Sequence, residues 1–228
     1  MSVTLQIQDS IAHITLDDGK ANAVSPTLLD QLNNALDQVE REANAVVLSG
    51  RPGRFSAGFD LSVMGQGGMA MANLVSGGAK LSHRLLQFPV PVVIACTGHA
   101  LAMGGLLLLA ADYRIGAEGA YKIGLNEVAI GLTMPLFGVE LARGRLHVPH
   151  FHRAVNNAEI FSPRGAAEAG FLDQVVSEAE LADAARAAAM QLTQLNRSAH
   201  HMTKLRVREP MLAAVALGVE KEFGVALK

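Results

Sequence analysis

The order of elements along the first half of the chain constrains its fold more than any other sequence feature. Short apolar runs typical of buried strands, Ala45–Ser49 and Val92–Cys96, are each followed by a turn rich in small residues and later by an apolar stretch with helical spacing. By Ile115 the succession of strand, turn, helix and strand has occurred twice. Such alternation is typical of layered α/β folds, so the sequence predicts that class.

Local signals locate further elements in the N-terminal part. Val3–Gln8 and Ile11–Leu16 alternate apolar and polar residues around a short turn, which predicts a β-hairpin. Ser25 followed by Pro26 predicts the start of a helix. The stretch Gln66–Gly78 is rich in glycine and small residues, so we predict a mobile loop there.

From Ser162 onward the sequence predicts mainly helices. An alanine-rich amphipathic helix is expected over 178–196, and Pro210 is expected to precede another. The apolar faces of these helices are large for so short a segment, so we expect some of them to pack against another subunit. No linker is evident, which predicts one domain with a core over 1–161 and a helical segment over 162–228.

The composition excludes several classes of partner. Half of the 228 residues are hydrophobic, and the net charge of −2 gives no field that attracts nucleic acid or an anionic membrane. No apolar run reaches the roughly 20 residues that span a bilayer. The chain begins without a basic, apolar leader, and its one cysteine, Cys96, lies in an apolar run. We therefore expect a reducing, cytoplasmic compartment.

Two loops have a composition suited to binding a ligand through the main chain. Phe55–Leu61 and Gly98–Gly105 each follow a predicted buried strand and place small residues before an apolar run. Small residues allow close approach to the backbone, and a helix N-terminus leaves free N–H groups. Two such amides converging would form an oxyanion hole, which stabilises charge on a carbonyl oxygen. Glycine-rich turns that merely reverse the chain are the alternative.

A third segment, Ile123–Leu132, carries one acid between apolar residues. Desolvation at Glu127 would raise its proton affinity towards that of a general base near neutral pH. A surface carboxylate at a helix start is the alternative interpretation.

In this order the three blocks resemble one protein family. F-S-A-G-F-D-L at 55–61, G-H-A-L-A-M-G-G at 98–105 with A-D-Y-R at 111–114, and G-L-N-E-V-A-I-G-L at 124–132 resemble the crotonase (enoyl-CoA hydratase/isomerase) superfamily. The resemblance extends from the hairpin to 162–176. It implies an α/β spiral of repeated ββα units with a C-terminal helical trimerisation segment. It also implies a homotrimer or a dimer of trimers, and an acyl-CoA substrate whose coenzyme A is the only cofactor-like group.

The resemblance also implies roles for individual residues. The two oxyanion amides fall on Phe59 and Met103, and the proton carrier falls on Glu127. Methionine departs from the glycine or alanine usual at its place, and its bulk could narrow the pocket. Lys20 is alternatively a solvated loop lysine. The positions that hold acyl-CoA in the family correspond to Lys20, Ala21, Ala57, Gly58, Asp60, Leu61 and Gly104.

The choice of reaction depends on a second acid. Hydratases of the family have a glutamate three residues after the second oxyanion donor, and here that place is Leu106, which cannot activate water. The resemblance therefore favours the single-glutamate 3,2-enoyl-CoA isomerases, with Glu127 moving a proton from C2 to C4. Hydration is the alternative, with Glu140 as the nearest acid along the chain, and a catalytically weak acyl-CoA-binding protein is a third hypothesis.

The histidines are not assigned to catalysis. The run His147–His152 has spacing like that of a metal site, but a proline interrupts it and no carboxylate lies at matching spacing, so no metal site is predicted. The basic stretch His200–Arg208 is expected to face solvent, and the alternative is contact with a coenzyme A phosphate bound to a neighbouring subunit. His99, beside the second loop, either tunes that loop electrostatically or is a hydrogen-bonded structural histidine.

Overall fold

Ten strands and nine helices form within residues 2–227, the part of the chain that this computed structural model describes. The strands are β1 (Val3–Gln8), β2 (Ile11–Leu16), β3 (Ala45–Gly50), β4 (Gly53–Ser56), β5 (Val92–Cys96), β6 (Gly98–Leu101), β7 (Tyr113–Ala117), β8 (Ile123–Gly124), β9 (Ile160–Phe161) and β10 (Gln174–Val176). The helices are α1 (Pro26–Glu42), α2 (Leu61–Met64), α3 (Gly68–Leu86), α4 (Met103–Ala110), α5 (Leu136–Arg145), α6 (Val148–Val155), α7 (Pro163–Ala169), α8 (Leu181–Thr193) and α9 (Arg197–Phe223).

The strands assemble into two mostly parallel sheets. The larger has the order β1-β2-β3-β5-β7-β10 and the smaller has the order β4-β6-β8-β9. Among the strand pairs of residues 2–227, β1 with β2 and β8 with β9 are antiparallel and the others are parallel. From β3 onward, three repeats each place one strand in each sheet before a helix: β3-β4 before α3, β5-β6 before α4, and β7-β8 before α5. The predicted α/β class and its repeated ββα units are confirmed.

The N-terminal predictions are confirmed in detail. The hairpin pairs Val3 with Leu16 at one end and Gln8 with Ile11 at the other. Helix α1 begins at Pro26, and the Ser25 hydroxyl accepts a hydrogen bond from the N–H of Leu28 at 3.1 Å. Local propensity and tertiary structure therefore agree in this region.

The prediction of a mobile loop over Gln66–Gly78 is wrong, because most of this stretch forms the first half of α3. Its glycines allow close packing. A β-carbon at Gly77 would lie 2.8 Å from Cδ1 of Leu29 in α1, and one at Gly78 would lie 2.5 Å from the ring of Phe59. A segment is rich in glycine both where helices pack closely and where a loop is flexible, so composition alone did not distinguish the two.

The helix expected after Pro210 is in fact part of one continuous helix, α9, which runs through the proline. The basic stretch before it does not face solvent as expected, since Lys204 and Arg208 are buried and contact Asp112 at 2.6 and 2.8 Å. Of the lysines and arginines in the stretch His200–Arg208, only Arg206 is exposed. These buried contacts hold the turns before the proline, where local propensity would favour a break.

The C-terminal helices pack on the core and expose apolar side chains elsewhere. Helix α8 contacts the larger sheet, and α9 contacts α3 and α5. The division at 161 and 162 and the packing of these helices against another subunit stay predictions. Within residues 2–227, no helix combines the length and apolar character needed to cross a bilayer. The exposed large apolar residues of these helices and the turn between them are Met190, Leu195, Met202, Val207 and Leu217.

Candidate active site

The two small-residue loops lie against each other, because β4 and β6, which precede them, are parallel neighbours. Gly58 has φ +96°, and a β-carbon there would lie 2.8 Å from Cβ of Ala102 and 3.4 Å from the nitrogen of Met103. Glycine is therefore required by both backbone angle and contact. Ala102 itself has φ +49°, a region that costs an L-residue about 1–3 kcal/mol and is concentrated at functional sites.

Two backbone amides at this contact have no partner within residues 2–227. Met103 is the first residue of α4, so its N–H has no acceptor inside the helix. Phe59 lies opposite Val24 in a β-bridge, but the two hydrogen bonds of that bridge are made by its neighbours. The N–H of Val24 donates to the Gly58 carbonyl at 2.8 Å, and the N–H of Asp60 donates to the Val24 carbonyl at 3.0 Å, so the Phe59 N–H is unused. Two free amides on adjoining loops suit a carbonyl oxygen that gains negative charge.

A cavity of about 460 Å³ opens beside the loops. Its lining is mainly apolar and includes two carboxylates. Side chains from α3 and from the end of α9 form part of the wall. The lining residues are Ala57, Phe59, Leu61, Met64, Met71, Val75, Ala102, Asn126, Glu127, Ile130, Leu132, Thr133, Pro135, Glu222 and Phe223.

Glu127 is the buried carboxylate of the cavity. The residue follows β8 and begins a single 3-10 turn. Its backbone carbonyl accepts hydrogen bonds from the N–H groups of Ile130 and Leu132. Only 6% of the residue is exposed, and its Oε2 has no hydrogen-bond partner within residues 2–227. Burial raises the pKa of Glu127 to about 7, against a smaller lowering by its own backbone N–H. Of the two interpretations left open by the sequence, this is the desolvated carboxylate and not the surface one; the role of the residue stays a prediction.

Three predicted site residues lie at the loop contact rather than in the cavity lining. Gly58 and Gly104 lack side chains and so allow the two loops to pack closely. A β-carbon at Gly104 would lie 2.4 Å from the carbonyl oxygen of Ser56. Met103 is fully buried, and its sulfur would lie 3.1 Å from a β-carbon at Gly78 of α3. Its side chain fills the core and does not line the cavity, so methionine leaves the cavity open.

The remaining predicted ligand contacts divide between the lining and an exposed edge. Ala57 and Leu61 line the cavity. Ala21 lies next to it, because its carbonyl accepts the N–H of Ala57 at 3.0 Å. Asp60 caps α2, and hydrogen bonds from Ser62 and, less strongly, the charge of Lys20 lower its pKa. Contact of these groups with a ligand stays a prediction.

Sequence reasoning missed several residues that shape the site. Asn126 lines the cavity with an Oδ1 that lacks a partner within residues 2–227. Buried Asn22 donates to the carbonyls of Leu16, Arg54 and Phe55 and so anchors the first loop, and its position in a turn was an available signal. Glu222 and Phe223 come from the last turn of α9, where no local pattern marks them.

The two positions considered for a hydration acid, Leu106 and Glu140, lie outside the cavity lining. Leu106 is fully buried, next to Gly138 of α5, and does not line the cavity. Glu140 pairs with Arg143 at 3.2 Å on α5 and is also absent from the lining. Neither position supplies the cavity with a second carboxylate.

The histidines have structural partners. His99 accepts a hydrogen bond from the N–H of Lys122 at 3.0 Å and packs edge-on against Tyr121, which makes it a hydrogen-bonded structural histidine. His147 is the N-cap of α6, and His150 and His152 lie within that helix. Across residues 2–227, no group of three or more His, Cys, Asp or Glu side chains is placed to hold a metal ion.

Known proteins share this architecture over nearly the whole chain. The profile of the enoyl-CoA hydratase/isomerase family matches residues 6–223. A crystal structure of an enoyl-CoA hydratase/isomerase family protein from Pseudomonas syringae superposes with a TM-score of 0.96 at 48% identity, covering 99% of this chain and 98% of the other. The apo structure of an enoyl-CoA isomerase from Mycobacterium tuberculosis superposes with a TM-score of 0.94 at 39% identity, covering 98% of each chain.

A curated relative agrees with these structures. Human mitochondrial enoyl-CoA delta isomerase 1 is 30% identical over 204 residues, which is 87% of this chain and 68% of the relative. The family match spans the two loops, Glu127 and most of α9. The chain therefore belongs to the enoyl-CoA hydratase/isomerase family, and it is an enzyme with the crotonase fold that its sequence motifs indicated.

Proposed function

We propose that this enzyme moves the double bond of an enoyl-CoA thioester from position 3 to position 2. The observation that carries the proposal is Glu127, a carboxylate with a pKa raised to about 7, in an apolar cavity lined also by Phe59 and beside the free amides of Phe59 and Met103. A base with a pKa near neutrality and a site for a developing oxyanion are what proton removal next to a thioester carbonyl requires.

The proposed steps balance with Glu127 alone. Its carboxylate takes the proton from C2, and the C–H electron pair forms a C1–C2 double bond as the carbonyl pair moves onto oxygen. The amides of Phe59 and Met103 donate to that oxygen. When the carbonyl re-forms, electrons shift to make the C2–C3 double bond, and the C3–C4 pair takes the proton from Glu127 at C4. The carboxylate is regenerated, and no cofactor beyond the substrate's own coenzyme A is needed.

We propose that the coenzyme A portion of the substrate lies against the first loop, Phe55–Leu61. Ala57 and Leu61 lie in the cavity wall, and Ala21 is bonded to Ala57 at its edge. Exposed Lys20 offers a cation on the same edge for an anionic group of coenzyme A. These contacts support roles for Lys20, Ala21, Ala57, Asp60 and Leu61 in binding, with Gly58 and Gly104 acting by keeping the loops close.

We also propose a homotrimer, or two stacked trimers, in a reducing cytoplasmic compartment. The exposed apolar residues of α8 and α9 supply a surface that association would cover. Cys96 is a buried free thiol, and burial raises its pKa to about 12, as suits a structural cysteine. Light scattering is expected to give three or six times the chain mass of 24.0 kDa. A mass of one chain at micromolar concentration would contradict the trimer.

Turnover of 3-hexenoyl-CoA to 2-hexenoyl-CoA tests the proposed reaction. Because Glu127 acts in its ionised form, kcat/KM is expected to rise about tenfold per pH unit below its pKa and to level off above about 7. Steady-state rates between pH 5 and 9 measure this profile. Absence of turnover at every pH, or a rate that falls as the pH rises through 7, would count against the proposal.

A further inference from the structure

The cavity contains two carboxylates, although the motifs identify only one. Glu127 comes from the turn after β8, and Glu222 comes from the last turn of α9. Of the described residues that line the cavity, these are the only two whose side chains ionise. The isomerisation proposed above uses Glu127 and leaves Glu222 without a role.

Glu222 is held in place by contacts with α5. Its two carboxylate oxygens lie 3.1 and 3.0 Å from the N–H of Leu136, which they accept at the start of that helix. One turn earlier, α9 touches α5 so closely that a β-carbon at Gly218 would lie 2.9 Å from Cβ of Leu136. One N–H uses only part of the carboxylate's accepting capacity, so Glu222 can also accept from a water molecule.

The two carboxylates differ in environment. Burial raises the pKa of both, but Glu127 is nearly enclosed, whereas Glu222 is exposed to solvent over much of its surface. The hydrogen bond from Leu136 opposes the effect of burial on Glu222. The two carboxylates therefore differ both in enclosure and in hydrogen-bond partners. Such a pair divides into a base and an acid.

We propose that Glu222 is a second catalytic residue of the cavity, the base that activates a water molecule, so that the enzyme also hydrates 2-enoyl-CoA. The water oxygen bonds to C3, and Glu222 takes the proton released from that water. The C2–C3 pair moves to C1–C2, and the carbonyl pair moves onto the oxygen held by the two amides. The carbonyl then re-forms while protonated Glu127 gives its proton to C2. The proton on Glu222 returns to Glu127 through solvent.

This inference rests on the proposed function, since it uses the same oxyanion site and the same C2 proton carrier. It is distinct from it, because isomerisation needs no second carboxylate. A purely structural role for Glu222 is the competing explanation: Pro135 at the N-cap of α5 offers no side-chain cap, and Glu222 supplies an acceptor there.

Glu222→Gln separates the two roles. A glutamine oxygen still accepts the N–H of Leu136 but cannot take a proton from water, so the helix cap is retained and the base is lost. The wild-type enzyme is expected to hydrate 2-hexenoyl-CoA as well as to isomerise 3-hexenoyl-CoA. In Glu222→Gln the ratio of the hydration rate to the isomerisation rate is expected to fall about 100-fold. Glu220→Gln makes the same change at an exposed position of α9 outside the cavity lining and is expected to leave the ratio unchanged.

Each other outcome has a defined meaning. Wild-type enzyme that isomerises without hydrating overturns the role of Glu222 and leaves the proposed isomerisation intact. Equal losses of both reactions in Glu222→Gln, together with a lower thermal midpoint, would show that the residue is structural and overturn the proposal. Wild-type enzyme that turns over neither substrate would instead refute the proposed function itself.

Discussion

Glu127→Gln is expected to lower kcat for isomerisation of 3-hexenoyl-CoA about 1,000-fold while changing KM only a few-fold. Glutamine has nearly the same shape and fits the same buried turn, but its amide cannot accept the C2 proton. The proposed oxyanion amides of Phe59 and Met103 lie on other loops and remain, so we expect binding of the thioester to be preserved. Steady-state kinetics with purified variant and wild type give both constants.

The same substitution is expected to stabilise the fold. Raising the pKa of Glu127 from 4.5 to about 7 means that the native state holds its charged form less favourably than the unfolded state does. This is worth up to about 3 kcal/mol above pH 7. The gain in Glu127→Gln therefore grows between pH 4.5 and 7 and is absent at pH 4, where the acid is protonated in both states. Urea unfolding at pH 4 and pH 8 measures it.

Glu140→Gln is the matched control for both measurements. It makes the same chemical change at a residue of α5 that pairs with Arg143 and lies outside the cavity lining. Activity and stability are expected to stay close to wild type, because partly exposed pairs of this kind contribute about 0–1 kcal/mol. If Glu140→Gln lost activity and Glu127→Gln retained it, the assignment of the proton carrier would be wrong.

Asp112→Asn is expected to destabilise the enzyme by about 3–5 kcal/mol. Asp112 is the shared partner of Lys204 and Arg208, and all three side chains are at least nine-tenths buried. Asparagine keeps an acceptor for the N–H of Val92, which Asp112 binds at 2.7 Å, but it leaves two buried cations without their counter-ion. A loss of this size is a large fraction of the stability of an ordinary domain.

Asp9→Asn is the control for this effect. Asp9 pairs with Arg186 at 2.7 Å, but both side chains are about half exposed, so solvent screens the pair and its loss is expected to matter little. Urea unfolding of the two variants at one pH gives the comparison. Equal, small changes in both would mean that the attachment of α9 does not depend on its buried ion pairs.

The sequence by itself determined the elements whose signals are local. The hairpin follows from alternation over Val3–Leu16, and the start of α1 follows from Ser25 and Pro26. The motifs around Gly58, Met103 and Glu127 identified the family, and they predict the positions of the oxyanion amides and of the proton carrier. The burial of Glu127 was one of two interpretations that its mainly apolar segment left open, and the structure decided between them.

Only the tertiary structure decided which distant residues meet these motifs. The glycines of Gln66–Gly78 belong to a packed helix because their surfaces meet Leu29 and Phe59, and composition cannot distinguish contact from flexibility. Pro210 does not end α9, because Lys204 and Arg208 bind Asp112 on another element. Glu222 enters the cavity through the packing of α9 on α5. A contact between residues far apart in the chain depends on how faces pack, which no local pattern encodes.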